Sequence, residues 1–386
     1  MKTLILALLD KSNPPDHSFV NGMLSNVLAS EPDISVSLIV SKNSIRKQNY
    51  IFRYFNAICI PKLFIRRGVF RFLNFFVVLK LLFCLILRAK KRKKNIILFV
   101  RNDPIFLLAS SLLKPFVSKI IFQNSFPHEK NSKGLKSSVA KFIYKLCAPK
   151  IDSIISVSPL GEERLRHLFP SVSNISHIPL LAEKIVFDKK KINDSIDKKL
   201  LDFIYIGSHD RMREINIILD AIVHAVKDLK VKARFSFVGA TKIEIDQYLL
   251  IQGVQDLVAE NIIFFKSKVQ RSQIWDYISD ADIGFCLIPP KDIYIEASPT
   301  KLAEYLSCGL AVIANREILL QEKVISISKA GVLTEFNSNS IAIEIMNLTQ
   351  DRQKLKLMRL NAISYSKNSF SYASYLERFR AIILDL

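Results

Sequence analysis

The sequence predicts an α/β chain of two domains in tandem, each built on a mostly parallel sheet, and three observations point there. Its 386 residues exceed what one hydrophobic core usually supports. Residues of the apolar classes make up 49%, far above the range of disordered chains. Short apolar runs alternate with helical patterns in two successive series, and a polar, charged stretch separates the series.

The first series opens with "MKTLILALLD". The apolar run Leu4 to Leu9 is shorter than a secretory h-region, and Asp10 follows it without a small-residue cleavage pattern. A first buried strand over Thr3–Leu9 and a cytoplasmic location are therefore expected. Further strands are expected over Ser35–Val40, Asn95–Val100, Lys119–Gln123 and Ser153–Val157, with helical segments such as Phe19–Ala29 and Ile105–Leu113 between them. Ligands bind beyond the carboxyl ends of such strands, which singles out the loops "DKSNPPDHSFVNG", "RNDP" and "QNSFPHEK". Residues 182–200 are polar and poor in large apolars and read as the linker. The second series runs through "LDFIYIG", a helix over Ile215–Lys227, "RFSFVG", a helix near Thr241–Gln252, "NIIFF", a helix at Ser272–Asp280, "IGFCLI", "SPTKLAEYLSCG", "LAVIA" and "GVLTE". The tail from Ser340 reads as helical throughout. The expected organisation is a first domain over 1–185, a linker over 186–200, a second domain over 201–368, and a helix over 369–386 returning to the first.

Charge and cysteine usage narrow the partners. The 56 Lys+Arg against 35 Asp+Glu leave a formal charge of +21, which favours anionic partners. Five scattered cysteines without a CxxC pair argue for a reducing compartment and against a zinc site. Residues 64–94, "FIRRGVFRFLNFFVVLKLLFCLILRAKKRKK", stand apart. Arg71, Asn74 and Lys80 interrupt the apolar run and would be costly at bilayer depth, so a spanning helix is disfavoured. With Arg67 and Arg88 they keep to one half of a helical wheel, and six of the seven residues Arg88–Lys94 are basic. An apolar-faced helix beside a polybasic run reads as a helix lying on an anionic membrane surface. The alternative is a core helix of the first domain with a solvated basic turn. Nucleic acid is not the expected partner, because the aromatics lie inside the apolar face instead of alternating with Arg and Lys.

Two stretches carry chemistry. In "YIGSHDRMREINIILDAI" a strand ends at Gly207, a polar loop follows with Ser208, and a helix begins near Glu214 with Arg211 and Arg213 beside its N-terminus. Such a place offers N–H groups and guanidinium forks to an anion, although an Arg at a helix start is more often merely solvated. In "IPPKDIYIEASPTKLAEYLSCGLAVIA" a buried strand ends in a proline loop, and Ser298 or Thr300 is the expected cap of a helix starting around Pro299–Lys301. Lys301 then sits in the first turn, where the helix dipole disfavours a cation unless an anion shares the site. Glu304 lies one turn on, on the same face, and Glu296 precedes the helix. This set suits a nucleoside diphosphate, with the positive groups on the diphosphate and Glu304 on the ribose. A plain capped amphipathic helix with incidental acids suits the same residues equally well.

The order of these residues resembles a known family. The strand ending at Gly207, Arg213, and the pair Glu296 and Glu304 separated by seven residues and closing in "EYLSCGLAVIA" are similar to the C-terminal half of GT-B glycosyltransferases of the family-four type. "SPTKLAEYLSCG" resembles the variant found in bacterial polysaccharide enzymes. The resemblance covers about residues 200–370, with "DSIISVSPLGEERL" and "HIPL" (Asp152–Leu180) similar to the strand leading to the domain crossover. It implies two Rossmann-like domains facing a cleft, a nucleotide-sugar donor, retention of configuration, and no bound metal or other cofactor. Carried over, Glu304 holds the ribose and Glu296 lies by the donor sugar. Ser298, Thr300 and Lys301 meet sugar hydroxyls and phosphate, Arg213 takes the place of the phosphate-binding Lys, and His128 in "SFPHE" stands beside the reacting sugar. A lone histidine also serves as an ordinary structural residue. His17 and Asn21 on the first loop are acceptor-side candidates. Three positions depart from the family pattern: Glu214 stands for the glycine after that Lys, Ser208 for the Arg after the strand glycine with Arg211 as its candidate replacement, and "DHSFVNG" for a Gly-Gly loop.

The resulting expectation is a hexosyl- or N-acetylhexosaminyltransferase acting in O-antigen, capsule or lipopolysaccharide synthesis. It would move a sugar to a lipid-linked glycan acceptor while peripheral on the inner face of the plasma membrane. The alternatives are a basic nucleic-acid-binding protein, which leaves the paired glutamates unexplained, and a sugar-nucleotide epimerase of the same fold.

Overall fold

The structure, a computed structural model, describes residues 2–12, 17–42, 48–52, 55–61, 73–131, 135–187 and 198–384. They divide into two compact units. The first runs to Pro179 and includes the C-terminal helix Leu376–Leu384; the second spans Leu180–Ser374.

The first unit holds β1 (Thr3–Ser12), β2 (Ile34–Lys42), β3 (Gln48–Phe52), β4 (Phe55–Pro61), β5 (Asn95–Arg101), β6 (Lys119–Asn124), β7 (Ser153–Ser156) and β8 (Asn174–His177), in the order β3-β4-β2-β1-β5-β6-β7-β8. All pairings are parallel except β3 with β4. The runs "LILALL" and "IILFV" are buried on both faces, as parallel strands under helices must be. One face is covered by the helices Leu73–Lys91, Pro104–Leu112, Leu135–Cys147 and Pro159–Leu168. Elsewhere Phe379 of the C-terminal helix meets Phe19 and Phe99 edge-on, and the Lys119 ammonium donates to the Ile382 carbonyl.

The second unit holds β9 (Leu201–Ile206), β10 (Ala233–Val238), β11 (Ile263–Lys266), β12 (Ile283–Cys286), β13 (Ala311–Asn315) and β14 (Gly331–Thr334), all parallel in the order β11-β10-β9-β12-β13-β14. Phe203 stacks between Phe235 and Phe285, with ring centroids 5.0 and 5.5 Å away, and these three rings centre the core.

Several expectations shift. The antiparallel β3–β4 hairpin and β8 are additional strands: β3 and β8 are short and part-polar, whereas β4 is an apolar run that the expected strands omit. The helix expected at Phe19 begins as a π-helical turn over Phe19–Leu24. Residues 241–252 hold a helix only over Lys242–Tyr248, with Leu249 as its C-cap, and Gly253, at φ +84°, is the N-cap of the next helix, Val254–Ala259. The tail is broken at Asp351 and around Ser369–Tyr372. The change of unit falls at Pro179/Leu180, ahead of the expected linker. Leu180 N–H donates to Ser298 Oγ (2.8 Å), Leu181 N–H to the Tyr372 hydroxyl (3.1 Å) and Val186 N–H to the Ser307 carbonyl (3.0 Å), which ties 180–187 to the second unit. Linker positions 188–197 lie outside the described residues.

The basic, apolar region also resolves differently. Its described helix is Leu73–Lys91, and positions 64–72, with Arg67 and Arg71, lie outside the described residues. Phe75, Val78, Leu82, Ile86 and Ala89 are buried in the core of the first unit, since the sheet beneath needs cover. The main apolar face is therefore not turned to a membrane. No described helix is long and apolar enough to cross one.

Candidate active site

At the carboxyl ends of β9 and β12 the second unit gathers most of the expected site residues. Gly207, at φ +149°, lets the chain leave β9 where a Cβ would lie 3.5 Å from the Lys301 ammonium. The Lys301 Nζ sits 3.8 Å from the centroid of the Tyr205 ring, a cation–π contact, and it forms no ion pair among the described residues. Tyr205 donates its hydroxyl to the Ser208 carbonyl (3.0 Å), fixing the loop. Burial above all, helped by the Arg213 cation, pushes the Lys301 ammonium down to about 7, although part of its side-chain surface still meets solvent. His209 is pushed down to about 4 by burial and by Lys301, so its ring is neutral at pH 7.

Arg213 Nε donates to Ser208 Oγ (3.3 Å), and its guanidinium lies 4.8 Å from the Tyr294 ring centroid. It ends a short turn, Arg211–Arg213, whose N-cap is Asp210. Glu214, where the resemblance expects glycine, is left-handed (φ 50°, ψ 46°). The glycine geometry is thus kept by a residue that adopts it at a cost, and Lys291 pairs with its carboxylate at 2.5 Å. Arg211, the candidate replacement for the family Arg, is exposed.

The helix Thr300–Ser307 delivers Lys301 and Glu304. Neither Ser298 nor Thr300 caps it: the N-cap is Pro299 and no side chain accepts from its first N–H groups. Ser298 Oγ is instead the acceptor for Leu180 N–H, a partner 118 residues away that no local pattern reveals. The open N-terminus thus faces the same region as Lys301. Tyr305 anchors the helix, its hydroxyl accepting from Ile206 N–H at 3.0 Å. Its ring lies so close to β12 that a Cβ on Gly284 would come within 2.4 Å of it. Glu304 is buried and accepts from Arg271 Nη2 at 2.6 Å. Arg271 also approaches Glu183 (3.5 Å), which accepts from the Trp275 indole at 3.2 Å. Buried Cys286 ends β12, and burial pushes its thiol up to about 12 against the opposing pull of the Lys301 and Arg213 cations. Glu296 is buried in the preceding loop. Asn315, at the end of β13, holds that loop through paired hydrogen bonds with Ile288 (2.8 and 2.9 Å).

Arg271 and Asn315 contact the candidate site residues or their loop and were not singled out in the sequence. The first lies in a charged surface-like stretch 33 residues from its partner. The second reads as an ordinary strand end.

In the first unit, His17 Nδ1 accepts from Phe19 N–H (3.1 Å), and its Nε2 lies 3.3 Å from Arg101 Nη2. Asn21 is buried within the π-helical turn. His128 opens the short helix His128–Asn131 and meets Phe126 edge-on at 5.2 Å. Its neighbour Glu129, unremarked in the sequence, is buried against Arg164, which also donates to Asn124 Oδ1 (2.6 Å).

Comparison with known proteins decides the class. Residues 186–366 match the family model described as "Glycosyl transferases group 1". The chain has a GT-B fold, and its residues 186–366 are similar to the group 1 glycosyl transferases. Among solved structures, the chain is similar to a sucrose-phosphate synthase from Thermosynechococcus elongatus (TM-score 0.76, 15% identity, 100% of this chain and 99% of that one). It is also similar to Anabaena HepE in complex with UDP (TM-score 0.69, 15% identity, 100% of both chains). A glycosyltransferase from Rickettsia africae gives a TM-score of 0.65 at 14% identity over 100% and 98%. At these identities the likeness shows the fold, two Rossmann-like domains. No curated protein matches the chain in sequence.

Proposed function

We propose that the chain transfers a hexosyl or N-acetylhexosaminyl unit from a nucleoside-diphosphate sugar to a membrane-linked glycan, with retention of configuration. The work would take place on the inner face of the plasma membrane in surface polysaccharide synthesis. The observation that carries the donor assignment is the convergence of Lys301, Arg213 and the uncapped N-terminus of Thr300–Ser307 at the ends of β9 and β12. These groups are matched to a diphosphate, and Glu304, one turn on, is matched to ribose hydroxyls. That structures of HepE were obtained with UDP and with UDP-glucose supports the same donor class.

In the step proposed, the bond from the anomeric carbon to the diphosphate oxygen breaks while the acceptor oxygen bonds to the same face of that carbon. The acceptor proton passes to the departing phosphate. Lys301 and Arg213 stabilise the charge that grows on the leaving group, which removes the need for a bound metal. Glu296 and His128 would contact the donor sugar, Ser208 and Arg211 the diphosphate, and His17 and Asn21 the acceptor.

Labelled nucleotide sugars incubated with the protein, with and without a membrane lipid extract, test the reading. Acceptor-dependent release of nucleoside diphosphate, with the label moved to lipid, is expected. Release without acceptor from one donor points to an epimerase, and no acceptor-dependent release from any donor overturns the proposal.

A further inference from the structure

The sheet of the first unit carries three helices side by side: Leu73–Lys91, Pro104–Leu112 and Leu135–Cys147, with the middle one touching both others. Each turns a stripe into the core, and each also presents large apolar groups outward. On the first helix Phe76 (61% exposed), Phe83 and Leu87 recur at helical spacing and form a second apolar stripe. On the third, Phe142 (68%) and Leu146 (56%) do the same, with Val139 one turn earlier. Leu112 (55%) and Phe116 lie between them, and Phe116 meets Phe83 edge-on at 5.7 Å.

A soluble surface rarely gathers this much large apolar surface on neighbouring elements without something to cover it. The charges around it select the occupant. The three helices contain no Asp or Glu, whereas Lys80, Arg88, Lys141 and Lys145 stand exposed beside the apolar stripes. The basic run Arg88–Lys94 extends one end of the face, where Lys90 lies 5.3 Å from the Phe116 ring centroid. Asp152, the acid beside this end, is held by Lys114 at 2.5 Å. Aromatic and leucine side chains framed by lysines, without acids, match the headgroup boundary of an anionic bilayer.

We infer that this three-helix face of the first unit docks on an anionic lipid surface, with Phe142 and Leu146 inserting alongside Phe76 and Phe83. The inference rests on the membrane-linked acceptor proposed above and extends the contact from one helix to three. The Leu135–Cys147 helix is the decisive part, because its exposed stripe has no counterpart in the region that first drew attention to a membrane.

The test is sedimentation of the full chain with vesicles of phosphatidylcholine alone and with phosphatidylglycerol added, free of any glycan acceptor. The wild type is expected to bind the anionic vesicles preferentially and to release as salt rises. Phe142→Ser with Leu146→Ser lowers that binding about ten-fold through lost insertion, with nucleoside-diphosphate affinity unchanged. If that variant does not fold, Lys141→Glu with Lys145→Glu gives the same readout from two exposed side chains. Vesicle binding unchanged in these variants overturns the docking face, as does equal binding of the wild type to neutral vesicles. Self-association or RNA binding that depends on these residues without vesicle binding overturns it too. Lipid docking without sugar transfer to any lipid acceptor would instead count against the proposed function and leave this face standing.

Discussion

The carboxyl ends of the two sheets handle charge in opposite ways. In the first unit, Arg164 and Glu129 neutralise each other beneath the β6 loop, and Asn124 takes a further guanidinium N–H. In the second unit, Lys301 rests on an aromatic ring with no carboxylate paired to it among the described residues, beside an uncapped helix N-terminus. One cation is neutralised within the fold; the other, among the described residues, is not. Glu304 stands between these cases, buried and already held by Arg271, which fixes its orientation. The contrast teaches that a binding charge is recognised by what fails to neutralise it.

That contrast can be broken in stages. The largest effect is expected from Arg164→Ala, which strands a buried carboxylate and should cost about 3–5 kcal/mol of stability. Denaturant unfolding measures this, while nucleoside-diphosphate affinity of the folded fraction stays within two-fold. A stable variant, or one that loses donor affinity, would erase the distinction between the two sites. Lys301→Ala and Glu304→Ala reverse the pattern. Each should weaken donor binding by about 2–3 kcal/mol, the scale of a lost charge-assisted contact, and Lys301→Ala should leave stability unchanged or raised. Titration calorimetry reads the first and thermal unfolding the second.

Arg271 tests the intermediate case. Arg271→Gln keeps a donor toward Glu304 but removes the charge, and KM for the donor should rise about ten-fold with kcat nearly kept. Arg271→Lys should recover part of the loss, and equal falls in kcat and stability would make the residue merely structural. The smallest effect belongs to Glu214→Gly. Relief of a left-handed side chain, about 1 kcal/mol, is offset by loss of a half-exposed pair to Lys291 worth about 0.5 kcal/mol. Unfolding should therefore move only slightly, toward greater stability.

Much of this was legible in the sequence. The two series of buried strands gave the sheet units, because parallel strands must be apolar on both faces. The spacing of Lys301 and Glu304 on one helix face was readable from helical periodicity alone. What escaped were partners distant in sequence. Ser298 has the chemistry of a cap, yet its hydroxyl meets Leu180, and nothing local signals this. Arg271 looks like a solvated charge until the fold brings it to Glu304. The helix Leu73–Lys91 shows why composition misleads: its richest apolar face covers the sheet, and only a second stripe remains outside.

The central claim is that Lys301 awaits an anion, and the pH dependence of donor binding tests it most directly. In the free protein burial lowers this ammonium to about 7, and a bound diphosphate, whose charge is constant near neutrality, raises it again. Binding then takes up a proton above that value. The affinity of the tightest nucleoside-diphosphate sugar should fall about ten-fold or more between about pH 6 and about pH 8.5, and Lys301→Arg, charged throughout, should abolish the slope. A flat wild-type profile together with undiminished affinity in Lys301→Ala would contradict the account.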